Sequence, residues 1–231
     1  MAEPARPDSI EHRWDVLYRD YPEVYDEFAS YPYAPEPLEV AVDRLGLAGR
    51  TLVDVGCGTG LSTHRLARRA RVVIGIEREH AMLRVAAHRA ARDPLPNTFF
   101  VAGNAASLPL RDGCCDVVLG VTSPLDLGES LRVLGPAGLV VRLEIPPGWY
   151  GGDLNAIIGH PTPGLDENER DLKAAGFRSF DIDSVQEYGT TERILKTYGF
   201  IFGRQAIEHL RKTRRTSIRW RFRVYTLDKP S

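Results

Sequence analysis

The run Val53-Asp-Val-Gly-Cys-Gly-Thr-Gly60 carries the strongest chemical signal in the sequence. Glycines at 56, 58 and 60 let a backbone turn sharply and approach a ligand with no Cβ in the way. Leu61 stands where a dinucleotide fingerprint wants its third glycine. A helix starting here would present free N–H groups, a ready site for a carboxylate. Two further groups support a nucleoside ligand: Glu77, whose two oxygens can hold a ribose diol, and Asn104-Ala105, where an amide can read an adenine edge. Acid–base candidates are fewer. They are Glu144 and His160, with Thr122, Ser123, Tyr150 and Asp153 as nearby polar groups. The three cysteines, Cys57, Cys114 and Cys115, form neither a disulfide framework nor a metal-ligand spacing, so no metal site is expected.

These residues need a scaffold, and the pattern of the chain predicts one. Apolar strands at 51–55, 72–76, 98–101, 116–121 and 139–145 alternate with helices at 61–69, 80–92 and 127–134, the signature of a parallel sheet covered on both faces. A Gly/Pro-rich loop over 146–164 is followed by a helix at 166–175, a strand at 179–188 and one helix over 191–211. The last strand, 217–226, alternates strictly. Ile218, Trp220, Phe222 and Val224 share one face, and Arg219, Arg221 and Arg223 share the other. Upstream, Trp14, Tyr18, Tyr21, Tyr25 and Phe28 recur at helical spacing, with Pro22 placed to start a second helix and another helix at 36–45 closed by Gly46. The expected fold is α/β: a doubly wound, Rossmann-like, seven-stranded, mostly parallel sheet with an antiparallel last strand. Residues 1–45 are expected to form a helical lid on a core of residues 46–231, the whole being one structural domain. In an open sheet of this kind, ligands sit beyond the carboxyl ends of the strands.

Composition narrows the function classes. The chain has 231 residues, 43% hydrophobic and 26% charged, and a formal net charge of −1, which excludes a disordered or fibrous protein and argues against nucleic-acid backbone as the main partner. No stretch is long and apolar enough to cross a membrane, no secretory signal is visible at the start, and a cytoplasmic location is expected. Charge is nonetheless uneven, with 11 Lys+Arg against 2 Asp+Glu from Arg193 onward and 5 against 11 in residues 1–50. The plain reading is solvated or mutually paired faces. The sharper one is a basic end that attracts an acidic substrate or RNA.

With these segments in hand, the chain resembles the class I S-adenosylmethionine-dependent methyltransferases, specifically small-molecule, type 11-like members. The resemblance rests on Val53–Gly60, Ile76-Glu77 with Met82-Leu83, Gly103–Leu110, Cys115–Val118 and Arg132–Gly138. It implies that S-adenosyl-L-methionine is the cofactor. Asp54, Gly56, Cys57, Gly58 and Gly60 would hold its amino-acid moiety, Glu77 the ribose, Arg78 and Met82 the adenine flanks, Asn104 and Ala105 the adenine edge, and Val121 the opposite side. Asn104 departs from the acid common at that position, and the short stretch after the fourth strand, 121–128, departs from the usual acceptor wall. The expected acceptor is a small molecule walled by Tyr18, Tyr21, Tyr25, Thr122, Ser123, Trp149 and Tyr150, with Glu144 or His160 as base. Two rival readings are an RNA methyltransferase using the basic C-terminal third and a non-catalytic cofactor-binding protein. Two expected tests follow. Replacing Glu77 should weaken cofactor binding and spare the fold, and removing residues 1–33 should cost transfer more than cofactor binding.

Overall fold

The computed structural model describes residues 7–159 and 164–230. Among these residues eight strands form one sheet: β1 (Tyr33–Ala34), β2 (Thr51–Val55), β3 (Val72–Glu77), β4 (Thr98–Ala102), β5 (Cys115–Val121), β6 (Leu134–Glu144), β7 (Arg178–Glu187) and β8 (Ser217–Asp228). Their order across the sheet is β1-β7-β8-β6-β5-β2-β3-β4. Strands β6, β5, β2, β3 and β4 are parallel, and β8 lies antiparallel between β6 and β7. The central strand β2 is buried along its whole length, as expected for a parallel strand covered on both faces. The seven expected strands are therefore joined by an eighth, β1, which pairs antiparallel with β7 through Tyr33–Gln186 and Ala34–Val185. Two residues between prolines are too short to show a strand period in sequence.

Among the described residues, eleven α-helical segments accompany the sheet: α1 (Trp14–Asp20), α2 (Pro22–Ser30), α3 (Pro37–Leu45), α4 (Leu61–Ala67), α5 (His80–Arg92), α6 (Leu127–Val133), α7 (Asn155–Ile158), α8 (Leu165–Ala174), α9 (Thr191–Ile194), α10 (Phe200–Phe202) and α11 (Arg204–Thr213). Pro22 and Pro37 start their helices, where a missing N–H costs nothing, and left-handed Gly46 ends α3. The single helix expected over 191–211 is instead broken. A π-helical turn occupies Leu195–Gly199, and Gly203 at φ 85° separates α10 from α11. The cause is tertiary: a Cβ on Gly203 would stand 2.5 Å from Glu11 Cγ. The N-terminal segment docks here, with Ile10 N–H donating to Phe200 O at 3.0 Å and His12 N–H to Ile201 O at 2.9 Å.

The aromatic N-terminal helices are integral to the core. Leu17, Val24 and Phe28 pack in one buried cluster with Phe202, Trp220 and Phe222. Gln186 of β7 donates to Phe28 O at 2.7 Å and accepts from Trp220 Nε1 at 3.0 Å and from the Tyr188 hydroxyl at 2.8 Å. Removing residues 1–33 would therefore open the core, and a loss of activity in that truncation says nothing specific about a lid. The outer face of β8 is internally neutralised. Arg219 meets Asp153, Arg221 meets Asp183 at 2.6 Å, and Arg223 meets Asp181 and Glu169. The plain reading of the basic C-terminal strand holds. Among the described residues no helix is long and apolar enough to cross a membrane.

Candidate functional site

The carboxyl ends of β2, β3, β4 and β5 open onto a cleft of about 130 Å³. The turn after β2 holds Gly56, Gly58 and Gly60 at φ 70°, 56° and 75°, conformations that favour glycine. Space matters as much as conformation. A Cβ on Gly56 would meet Ser123 Cβ at 2.6 Å, and one on Gly58 would enter the cleft, 3.4 Å from Met82 Cε and 3.6 Å from Tyr25 Cε1. Gly60 does not line the cleft; a Cβ there would strike Phe100 at 2.6 Å, so this glycine lets α4 and β4 pack closely.

Glu77, at the end of β3, is buried and organises the cleft. Its Oε2 accepts from Gly58 N–H at 2.9 Å, and its Oε1 accepts from Arg78 N–H at 2.8 Å and Glu79 N–H at 2.9 Å. A carboxylate offers about four lone-pair positions, so one is left for a ligand hydroxyl. This side chain also ties the glycine loop to the turn after β3, so replacing it would remove more than a ligand contact. Asp54, beneath the loop, is fully buried. Its Oδ2 accepts from the Thr63 hydroxyl at 2.6 Å, while Oδ1 has no hydrogen-bond partner among the described residues. Burial pushes its carboxyl up to about 7, with the Thr63 hydrogen bond working against the shift and Glu77 adding to it. Asn104 is exposed and spends its Oδ1 on Ala106 N–H at 3.0 Å. Arg78, Met82, Asn104 and Ala105 all border the cleft.

A second cavity, of about 340 Å³, adjoins the first, and Tyr18, Tyr25, Val121 and Thr122 line both. Thr122 is a β-branched residue at φ 48°, a strained conformation held by its N–H bond to Leu143 O at 2.8 Å. The strain sits where the two cavities meet. The chamber walls are aromatic: Trp14 and Phe28 from the N-terminal helices, Phe202 from α10, Trp220 and Phe222 from β8, with Tyr33 and Tyr150. The Tyr150 hydroxyl accepts from Trp14 Nε1 at 2.8 Å and also meets His12 Nδ1 at 3.1 Å, joining the N-terminal helices to the loop after β6. Burial raises the Tyr18 hydroxyl well above the ordinary phenol value and takes that of Tyr25 to about 12, so both stay protonated. One ion pair, Glu36 with Arg65, interrupts the apolar wall, while the pair of Glu144 with Arg142 lies on the sheet face opposite Trp220 and Phe222. Glu144 binds Arg142 through Oε1 at 2.7–2.8 Å, and Glu36 binds Arg65 at 2.9 Å.

Most expected site residues converge on these two spaces. Cys57 borders the chamber rather than the cleft, its Sγ lies 2.9 Å from where a Cβ on Gly75 would stand, and burial raises its thiol far above the ordinary value. Ser123 lines the cleft and donates to Val55 O at 2.6 Å. Tyr21 packs edge-on against Phe200 with centroids 5.5 Å apart, and Trp149 carries the Arg221 guanidinium over its ring at 4.9 Å; neither lines the cleft or the chamber. His160 lies outside the described residues. Sequence reasoning missed Tyr33, Glu36, Arg65 and Phe202 as wall residues. The alternation of β8 did single out Trp220 and Phe222, as a core face.

Comparison with known proteins agrees with this geometry. A family model described as a methyltransferase domain matches residues 52–138. A malonyl-[acyl-carrier protein] O-methyltransferase of Marinomonas sp. is 33% identical over 146 residues, covering 56% of this chain and 53% of that protein. A demethylmenaquinone methyltransferase of Renibacterium salmoninarum is 29% identical over 154 residues, covering 63% and 62%. The chain thus aligns with little more than half the length of these relatives. The solved structure of YcgJ from Bacillus subtilis shares the fold at a TM-score of 0.59 and 19% identity, over 84% of this chain and 98% of that one. Residues 52–138 thus match a methyltransferase domain, and the chain as a whole shares the fold of that solved structure.

Proposed function

We propose that this protein transfers a methyl group from S-adenosylmethionine to a small, largely apolar acceptor held in the aromatic chamber. The observation that carries this reading is the shared wall: Tyr18, Tyr25, Val121 and Thr122 belong to both the glycine-loop cleft and the chamber. Two separate spaces meeting at one wall are what a two-substrate displacement needs, because positioning supplies most of its acceleration. The cleft suits the cofactor on two counts: an unfilled Gly58 position and the free lone-pair site of Glu77. Bound there, S-adenosylmethionine supplies an electrophilic methyl group on a positively charged sulfur. Around it, the Tyr18 and Tyr25 rings offer electron-rich faces suited to a cation, and the chamber's aromatic walls exclude water.

A nucleophile that arrives protonated needs a base. Glu144, at the end of β6, borders the chamber, but it pairs in register with Arg223 on the sheet face opposite Trp220 and Phe222, where Arg142 holds its Oε1, so the base is not assigned to it. Burial raises its carboxyl above the ordinary glutamate value, with Arg142 opposing. The relatives bear names with unlike acceptors, so the acceptor class is read from the chamber of this chain. The paired arginines of β8 weigh against RNA. The test is transfer of labelled methyl to a pool of aromatic and aliphatic metabolites. Cofactor binding without transfer to any small molecule, or transfer to RNA alone, contradicts the proposal.

A further inference from the structure

Resting on that reading, a polar feature of the chamber narrows the acceptor. Glu36 caps α3 with Oε2, accepting from Glu39 N–H at 2.9 Å, and this fixes the carboxylate whose Oε1 holds Arg65 at 2.9 Å. Among the described residues, the Arg65 guanidinium spends one N–H donor, on Glu36, and the Tyr33 hydroxyl has no hydrogen-bond partner. Tyr33, Glu36 and Arg65 all line the chamber and none lines the cofactor cleft. Tyr33 is seated edge-on against Phe222 with centroids 5.5 Å apart. Burial, then Tyr25 and Glu36, hold its hydroxyl well above the ordinary phenol value, so it is a donor at any physiological pH. Neither donor is sealed from solvent, with the Arg65 side chain 25% exposed, so a ligand oxygen entering the chamber can replace water on both.

The charge of the pair decides what that ligand group is. Glu36 cancels Arg65, and its carboxylate would repel a second carboxylate brought to the same guanidinium. A neutral oxygen meets donors without that repulsion. We propose that Tyr33 and Arg65 form a donor site for a neutral carbonyl oxygen on the acceptor. The acceptor is then an aromatic or extended apolar molecule with a ketone, ester or amide oxygen distinct from the methylated atom.

Three size-matched probes test this: 2-acetonaphthone, 2-ethylnaphthalene and 2-naphthoate. Each is titrated into the full chain with and without S-adenosylhomocysteine, and binding is read from quenching of Trp14 and Trp220, which line the chamber. The ketone should bind about fivefold or more tighter than the ethyl compound, the gain of one net hydrogen bond, and tighter than the carboxylate. Tyr33→Phe and, separately, Arg65→Met should each reduce that ketone advantage and leave the ethyl compound's affinity unchanged. Tyr33→Phe alone decides the matter if Arg65→Met does not fold. The inference is overturned if the carboxylate binds tightest, if ketone and ethyl compound bind equally, if no probe binds, or if Tyr33→Phe keeps the full ketone advantage. Failure of S-adenosylhomocysteine to bind would instead overturn the proposed function, while the probe ranking without it still reads on this donor site.

Discussion

Replacing Glu77 should damage two things at once, and their separation tests the cofactor site. In the folded protein this carboxylate accepts three backbone N–H bonds, from Gly58, Arg78 and Glu79, all between 2.8 and 2.9 Å. Bonds to a charged acceptor are each worth about 1.5–3 kcal/mol, but they share one group, and two of the donors can turn to water. Glu77→Ala should therefore cost about 2–4 kcal/mol of stability. Glu77→Gln is the cleaner variant. Its Oε1 can still accept from Arg78 and Glu79, whereas its NH₂ would face the Gly58 N–H, donor against donor. Loss of the free lone-pair site for a ribose hydroxyl, with the displaced glycine loop, should weaken S-adenosylmethionine by about 10- to 150-fold, the equivalent of one charge-assisted bond. Urea unfolding gives the first quantity and calorimetric titration of the folded variant gives the second. A folded Glu77→Gln protein that binds the cofactor within about threefold of wild type would refute the assignment.

The remaining expectations concern linkage, packing and the β8 arginines. Asp54 has its carboxyl at about 7 in the folded protein against about 3.9 when unfolded, so the folded state binds the proton more tightly and stability falls as pH rises from about 4 to about 7. Asp54→Asn removes that slope. Its stability relative to wild type should climb across this window by up to about 4 kcal/mol, read from denaturant midpoints at several pH values, and parallel pH curves would contradict it. Leu17→Ala should cost about 2–5 kcal/mol, measured by thermal melting, because Leu17 is fully buried in the main core; a near-neutral result would show that α1 is loosely attached. Arg221→Gln and Arg219→Gln should leave cofactor binding and RNA retention unchanged, since both arginines are already paired with acids. A salt-dependent loss of RNA binding in these variants would revive the nucleic-acid reading.

What was legible in the sequence is what local periodicity and turn chemistry encode. The strand-then-glycine pattern at 51–60 placed the cleft, Glu77 and Asn104 followed from their positions after the next two strands, and the alternation of 217–226 correctly separated buried Trp220 and Phe222 from paired arginines. The chamber was only half legible. Its aromatic N-terminal wall shows as a helical stripe, but Tyr21 and Tyr25, both on that stripe, part company in space: one meets Phe200 and the other faces Gly58. Glu36 and Arg65 are 29 positions apart, and nothing in either neighbourhood announces their pairing. The break in the helix over 191–211 depends on the N-terminal segment crossing at Gly203, a contact with Glu11 that no local propensity contains.

The central claim is that the glycine-loop cleft and the aromatic chamber meet at Tyr18, Tyr25, Val121 and Thr122, and that methyl transfer occurs there. A crystal structure with S-adenosylhomocysteine tests it most directly. The account requires a ribose hydroxyl on Glu77, the adenine between Met82 and Ala105, and the sulfur at the shared wall, facing the chamber. A nucleoside bound elsewhere, or a sulfur turned away from the chamber with Tyr18 and Tyr25 remote from it, would contradict it.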